Sequence, residues 1–405
     1  MKNIFSIITS PEKRYYGFDI IRAFSVVLVV QLHFFQLIFP LIGLNYFHFA
    51  FPDPVDMFFV CSGFLIGYNF LSEIHKAEKV DFKFIFRFLI MRWGRTLPAY
   101  YIILIFFTIV ISVFTKKINI PYSNFFFLQN FINNQSDFYK ETWTISVEEW
   151  FYVLFPLGFM VGLKFIKSSK DKSYLGIILF MLLGSLSLKI FYYLFVFTKH
   201  SFVDFVSHYR LIVVLRLDTI AIGLLAAYIC YHFEDFWFRN RYKFLAVGIT
   251  LYLFSNFYSW AWSNEMIRVE VPNLKQLPFR MPFAFNAFST FYHYVFFYFV
   301  SPISIALCLP YLKTIQYKPT FINKVVLYIS FISYSIFLLH YTFLLTICLG
   351  IYAKVIHSIP IVYIIWIILL SISSHLFYVK IELPFMNKRK DMIKYSEKIL
   401  SSLFR

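Results

Sequence analysis

The chain has 405 residues and a formal net charge of +17, yet only 15% of its residues are charged, against roughly 25% in an average soluble domain. Apolar residues make up 60% of the sequence, and phenylalanine alone occurs 56 times. A soluble fold of this length could not bury so many apolar side chains. The composition therefore excludes a soluble enzyme, a disordered protein and a protein with a single membrane anchor, and it predicts an all-α polytopic membrane protein.

Ten hydrophobic stretches recur along the chain, with lengths near the 20 or so residues that cross a roughly 30 Å hydrocarbon layer. The second stretch is short and contains glycine, so we expect it to be tilted or partly re-entrant. We expect a single membrane domain over residues 1–405, with its core at 15–385 and no C-terminal soluble domain. The predicted spans are 17–38, 55–71, 87–114, 145–165, 174–198, 211–231, 243–262, 285–309, 325–350 and 359–380.

Lysine and arginine are distributed unevenly between the connections of these spans. One set of connections carries 26 of them and the alternate set carries nine. The positive-inside rule explains this bias and the +17 charge without a nucleic-acid partner, and it predicts that both termini are cytoplasmic. The four cysteines lie inside apolar stretches with no paired spacing, so we expect neither disulfides nor a metal site.

The first span contains two ionisable residues, Arg22 and His33, and such residues cost a few kcal/mol in hydrocarbon. Eleven residues correspond to about three helical turns, or about 16 Å, so both side chains share one face of the helix. This pattern favours a functional pair. The alternatives are that Arg22 extends to the cytoplasmic interface and that His33 is an ordinary buried histidine.

Charged residues also mark the ends of the second and third spans. Asp56, near the start of the second span, either caps that helix or holds His33 in one tautomer. Arg92 and Arg95 lie one turn apart at the predicted cytoplasmic end of the third span. Two guanidinium groups at this spacing suit phosphates, which they bind in bidentate fashion. A plain positive-inside cluster is the alternative.

The fourth span begins with Trp143, Ser146, Glu148 and Glu149 on the predicted outer side. Neighbouring side chains on a helix point about 100° apart, so we expect one of the two glutamates to face the protein interior. The alternative is a solvated helix start, where carboxylates interact favourably with the helix dipole.

Later spans carry further isolated polar residues. Arg216 and Asp218, early in the sixth span, suggest structural ion pairs with neighbouring helices. His340 and Glu382 lie in the last two spans, where each could be structural or functional. Lys189, in the fifth span, has no evident partner in the sequence.

Taken in order, these residues resemble the acyltransferase-3 family of integral membrane proteins, which includes bacterial O-antigen and surface-polysaccharide O-acetylases. The similarity covers about residues 15–385. It rests on Arg22-x10-His33, DMFFVCSGFLIG from Asp56, Arg92-x-x-Arg95 before LPAYY, WTISVEEWFYVLFP from Trp143, RLDTIAIG from Arg216, ISYSIFLLHY ending near His340, and ELPF from Glu382.

The resemblance implies an acyltransferase of the bacterial cytoplasmic (inner) membrane. It would move an acyl group, usually acetyl, from cytoplasmic acyl-CoA to a hydroxyl of a glycan or lipid-linked glycan outside the cytoplasm, with no metal. It implies that His33 is catalytic with Arg22 as its partner, and that Arg92 and Arg95 contact acyl-CoA. To these we add Asp56 and Glu148 as further catalytic candidates, and Trp143, Ser146, Glu149, His340 and Glu382 as substrate-binding candidates.

Several alternatives stay open at this point. A transporter or flippase of a glycan could use the same residues to line a path, although no inverted repeat is visible in the sequence. A structural scaffold would explain the spans but not their ionisable residues. The acceptor could belong to lipopolysaccharide, peptidoglycan, an exopolysaccharide, a periplasmic glucan or a secreted small molecule, and transfer could be direct or through an acyl-histidine.

Overall fold

The computed structural model describes residues 14–38, 53–118, 120–132, 138–165, 167, 169–196, 205, 209–270, 286–354 and 356–403. Every regular element within these ranges is helical, and ten helices are long and apolar enough to cross a membrane. The all-α class and the ten predicted spans are therefore confirmed. The spans are α1 (Tyr16–Gln36), α2 (Pro54–Lys76), α3 (Phe82–Thr115), α4 (Lys140–Lys164), α5 (Lys170–Val196), α6 (Val213–His232), α7 (Arg241–Met266), α8 (Ala287–Lys313), α9 (Phe321–Cys348) and α10 (Ile359–Arg389).

Helix α2 is longer than the sequence predicted. It has 23 residues, enough to cross the hydrocarbon layer, so the expectation of a short span was wrong, whereas a tilted or partly re-entrant placement stays a prediction. The helix begins after Asp53, whose Oδ1 accepts a hydrogen bond from the backbone N–H of Val55 at 3.1 Å. Asp53 therefore occupies the capping position that the sequence analysis considered for Asp56.

Four of the spans contain a wider, π-helical segment. These segments are Tyr192–Val196, Tyr292–Phe296, His340–Leu345 and Tyr378–Glu382. A π segment breaks the regular i to i+4 ladder and is often associated with functional sites. Two of the four contain candidate site residues, His340 and Glu382. Helix α11 (Leu383–Leu403) continues directly from the last π segment, and its first residues, 383–389, form the end of the α10 span.

The chain forms two compact units. The first comprises Met1–Glu73 and Ile178–Phe331, and the second comprises Ile74–Ile177 and Ile332–Arg405. The first unit thus holds α1, α6, α7, α8 and most of α2 and α5. The second unit holds α3, α4, α10, α11 and most of α9. That the whole chain is one functional domain stays a prediction.

Within the first unit, α2 and α6 approach each other at two glycines. A Cβ atom at Gly63 would lie 2.2 Å from the carbonyl oxygen of Ile220, and one at Gly223 would lie 2.3 Å from that of Val60. Only glycine allows this backbone-to-backbone approach, which is a common way of packing helices in membranes. The close contact holds Asp56, on α2, against α6.

Candidate active site

The first unit contains the Arg22 and His33 pair. Helix α1 is uninterrupted between them, so the predicted eleven-residue spacing does place both side chains on one face of a helix. Both residues are half-buried. Their catalytic roles stay predictions.

Asp56 lies in a fully buried ion pair. The guanidinium of Arg216 donates from Nη2 to Oδ1 of Asp56, and Ser301 donates from Oγ to Oδ2 at 2.9 Å. The carbon atom of the guanidinium also lies 4.0 Å from the centre of the Tyr298 ring. The capping alternative for Asp56 was therefore wrong, because its carboxylate is bound to α6 and α8. Its pairing with His33 stays a prediction.

A second buried ion pair gives Lys189 the partner that the sequence did not reveal. Its ammonium group donates to Oδ2 of Asp218, and both side chains are fully buried. Oδ1 of Asp218 accepts a hydrogen bond from the backbone N–H of Thr219 at 2.8 Å. The expectation of structural ion pairs around Arg216 and Asp218 is thus confirmed, with Asp56 and Lys189 as the partners.

His293, on α8, is a buried histidine that the sequence analysis did not select. Its ring is parallel to the Trp262 ring, with 4.1 Å between the ring centres. Its Nδ1 lies 2.6 Å from the carbonyl oxygen of Ser289, while Nε2 has no hydrogen-bond partner within the described part of the chain. An ionisable residue inside a predicted span was the signal that could have found it.

In the second unit, α3 carries Arg92 and Arg95 one turn apart, and both are half-buried. The next residue, Thr96, donates from its hydroxyl to Oε1 of Glu149 on α4 at 2.7 Å. Glu149 is buried and Glu148 is half-buried, which confirms that one of the two neighbouring glutamates faces the interior. The alternative of a solvated helix start is wrong for Glu149.

The other two candidates on α4 have different surroundings. Ser146 lies one turn before Glu149 and is fully buried, and its hydroxyl has no hydrogen-bond partner among the described residues. Trp143 is half-buried at the start of the helix, where its carbonyl oxygen accepts from Nδ2 of Asn130 at 3.1 Å. Ser146 is therefore a candidate on this helix with an unused polar group, and Oε2 of Glu149 likewise has no hydrogen-bond partner among the described residues.

Helix α9 contacts both α3 and α10 through adjacent polar residues. Tyr334 donates from its hydroxyl to the carbonyl oxygen of Thr96 at 3.0 Å, and the hydroxyl of Ser335 donates to Oε1 of Glu382. Glu382 is buried, and Arg95 lies near enough to interact with it electrostatically. The second unit thus gathers buried carboxylates beside the arginines of α3.

The π segment of α9 is held by buried side chains. Within it, the backbone N–H of Thr342 donates to Oε1 of Glu141 at 2.9 Å, and the Thr342 hydroxyl donates to the other oxygen. His340 is buried, with its Nδ1 2.8 Å from the carbonyl oxygen of Phe337. Its own carbonyl oxygen accepts from Nε1 of Trp366 at 3.1 Å. Glu141 was not among the site residues predicted from the sequence.

Just before α4, Tyr139 donates from its hydroxyl to the carbonyl oxygen of Leu338 at 2.6 Å. Burial raises the pKa of the Tyr139 phenol well above its usual range, so this group remains a neutral donor. The bond satisfies a carbonyl group directly before the π segment of α9.

The described part of the chain has ten apolar helices long enough to span a membrane, and it contains buried histidines, carboxylates and cations. These features define a polytopic membrane protein that carries polar sites inside its helices. A model of the acyltransferase-3 family, described as an acyltransferase domain, matches residues 15–376. The chain belongs to this family. The resemblance found in the sequence is thereby confirmed.

Among curated proteins, the chain is 30% identical over 169 residues to YrhL of Bacillus subtilis and 28% identical over 168 residues to the peptidoglycan O-acetyltransferase OatA of Listeria monocytogenes. It is 27% identical over 156 residues to the O-acetyltransferase OatA of Staphylococcus aureus. These matches cover 35–38% of this chain and about a quarter of each relative. No solved structure matches the chain.

Proposed function

We propose that this protein is an O-acyltransferase of the bacterial cytoplasmic membrane. It transfers an acyl group, acetyl in the first instance, from cytoplasmic acyl-CoA to a hydroxyl group of a cell-surface or periplasmic glycan. Family membership supports the transfer of an acyl group. The relatives named as O-acetyltransferases support a hydroxyl acceptor, and peptidoglycan is the first glycan to test because one of them is named for it.

The observation that carries the donor assignment is the pair of arginines on α3. Arg92 and Arg95 share a face of the helix and are half-buried, so their guanidinium groups are partly desolvated. Guanidinium groups of this kind bind phosphate oxygens in bidentate fashion. CoA carries a diphosphate and a 3′-phosphate. Acyl-CoA is therefore the acyl donor whose phosphate groups fit this pair of arginines.

In the proposed reaction, His33 acts as general base. Its imidazole removes the proton from the acceptor hydroxyl while the hydroxyl oxygen attacks the carbonyl carbon of the thioester. The C–S bond then breaks, and the CoA thiolate leaves with the proton returned by the imidazolium. Arg22, on the same face of α1, either holds the histidine face or stabilises negative charge that develops on the carbonyl oxygen.

The remaining candidates have supporting roles in this proposal. Asp56 and Glu148 assist catalysis by orienting the histidine and the acceptor. Trp143, Ser146, Glu149, His340 and Glu382 bind substrate, and the unused hydroxyl of Ser146 supports its inclusion. No metal takes part in the proposed reaction.

The first experiment separates an acyltransferase from a transporter. Purified protein in detergent, where no gradient exists, is incubated with acetyl-CoA and soluble glycan fragments, and release of free CoA and acetylation of the glycan are measured. We expect acetyl-CoA to be consumed with acetylated glycan as product. A transporter would consume none, because it performs no group transfer.

The second experiment tests the role of His33. We expect His33→Ala to lower the rate of transfer about 10²- to 10⁴-fold, the usual contribution of a general base, while the protein stays folded in detergent. Full activity in this variant would refute the assignment. Labelled acetyl trapped on His33 before the acceptor is added would instead favour an acyl-histidine intermediate over direct transfer.

A further inference from the structure

A third arginine lies against the α3 pair, and the sequence analysis did not identify it. Arg389, on α11, is half-buried. It donates from Nη1 to the carbonyl oxygen of Met91 at 3.3 Å and from Nε to that of Met386 at 2.9 Å. The first of these bonds ties the guanidinium directly to the turn of α3 that carries Arg92.

Gly94 explains how the side chain of Arg389 reaches this position. A Cβ atom at Gly94 would lie 2.7 Å from Cγ and 3.3 Å from Cδ of Arg389. The aliphatic stem of Arg389 therefore crosses α3 at the one residue without a side chain, between Arg92 and Arg95. Any larger residue at position 94 would push the stem away.

The three arginines concentrate positive charge in one place. The charge of Arg389 interacts unfavourably with those of Arg95 and Arg92. Within the described residues, both hydrogen bonds from its guanidinium go to backbone carbonyl groups, and none goes to a carboxylate. Like charges held together at a half-buried position are costly, and a bound polyanion offsets that cost.

We propose that Arg389 joins Arg92 and Arg95 in binding the phosphate groups of the acyl-CoA donor. This inference rests on the proposed function. CoA has three phosphate groups, the same number as the guanidinium groups gathered here. Arg92 and Arg95 lie on a single turn of α3, so contacts to all three phosphates require a further residue. Arg389 supplies a contact from a second helix.

The test compares two donors, acetyl-CoA and acetyl-pantetheine, which lacks the nucleotide and its phosphates. We expect Arg389→Gln to raise KM for acetyl-CoA about tenfold or more, as for loss of a charge-assisted hydrogen bond, and to leave KM for acetyl-pantetheine unchanged. Lys388→Gln is the matched control, because it removes the same charge from an exposed neighbour on the same helix, and it should change neither KM.

A second variant keeps all three arginines. Gly94→Ala should displace the Arg389 stem and raise KM for acetyl-CoA selectively, as Arg389→Gln does. An unchanged KM for acetyl-CoA in Arg389→Gln would overturn the inference. Equal loss with both donors would also overturn it, because it would indicate a general role in folding or positioning.

Anionic lipid headgroups carry phosphate as well, so the measurements are made in nanodiscs of phosphatidylcholine alone and in nanodiscs that also contain phosphatidylglycerol. A selective KM effect in both supports donor binding. An effect seen only with phosphatidylglycerol would assign the site to a lipid headgroup and overturn the inference. Wild-type protein that consumes no acetyl-CoA would refute the proposed function instead, and equilibrium dialysis with CoA would then still compare binding by wild type and Arg389→Gln.

Discussion

The buried ion pair between Arg216 and Asp56 makes a sharp stability prediction. Both side chains are fully buried, so replacing Arg216 by methionine leaves a carboxylate inside the protein with Ser301 as its remaining hydrogen-bond donor. Breaking a buried pair in this way costs about 3–5 kcal/mol. We therefore expect Arg216→Met to lower the free energy of unfolding by on the order of 3–5 kcal/mol.

The double variant should behave very differently. Nε and Nη1 of Arg216 have no hydrogen-bond partner among the described residues, so the native pair does not fully recover the cost of burying the guanidinium. Replacing both residues by apolar ones, as in Asp56→Leu with Arg216→Met, removes the two charges and the unsatisfied guanidinium donors together, and leaves the Ser301 hydroxyl to bond within its own helix. We expect the double variant to lie within about 1 kcal/mol of the wild type.

The assay is reversible unfolding in mixed micelles by titration with SDS, followed by circular dichroism or tryptophan fluorescence. Arg210→Met is the control. Nη2 of Arg210 lies 2.7 Å from Oδ2 of Asp53, as close as in a buried ion pair, but this pair is partly exposed. A partly exposed pair is worth about 1 kcal/mol or less. The reasoning would be refuted if Arg216→Met cost no more than Arg210→Met, or if the double variant were as unstable as the sum of its single variants.

Two further predictions, each with a matched control variant, use the same unfolding measurement. Gly223→Ala should lower the free energy of unfolding by about 1–3 kcal/mol, because the new Cβ atom would clash with backbone atoms of α2. Gly184→Ala is the control: its Cβ atom would meet nothing within 4 Å, so this change should be neutral or slightly stabilising. Thr96→Val should cost about 1–3 kcal/mol, because it removes the hydroxyl bound to buried Glu149. Thr108→Val on the same helix should cost less, since its hydroxyl bonds only within the helix, and equal costs would contradict the role given to Thr96.

Much of the fold could be predicted from the sequence, because hydrophobicity and helical period are local properties. Stretches of about 20 apolar residues identify membrane helices, and a constant 100° step predicts which residues share a face. These rules placed Arg22 and His33 on one side of α1. They also predicted that one of Glu148 and Glu149 would be buried, and the structure identifies it as Glu149.

The pairing of the buried charges could not be predicted, because it joins residues far apart in the chain. Asp56 and Arg216 are separated by 160 positions, and no local pattern indicates which helices will meet. Lys189 illustrates the limit: its partner Asp218 was among the residues noted, but nothing in the sequence linked the two. The π segments were also missed, since they depend on tertiary contacts such as the bond from Thr342 to Glu141.

The two kinds of cation in this chain call for different explanations. Arg216 and Lys189 each have a buried carboxylate partner, so their charges are compensated within the first unit and explain its internal packing. The described bonds of Arg389 reach only carbonyl groups, and its charge adds to those of Arg92 and Arg95. Bringing three like charges together is costly even with a carboxylate such as Glu382 near Arg95, and binding of a polyanionic donor offsets that cost. This contrast is why we propose that the arginines of the second unit bind ligand, whereas the ion pairs of the first unit contribute to stability in addition to the catalytic role proposed for Asp56.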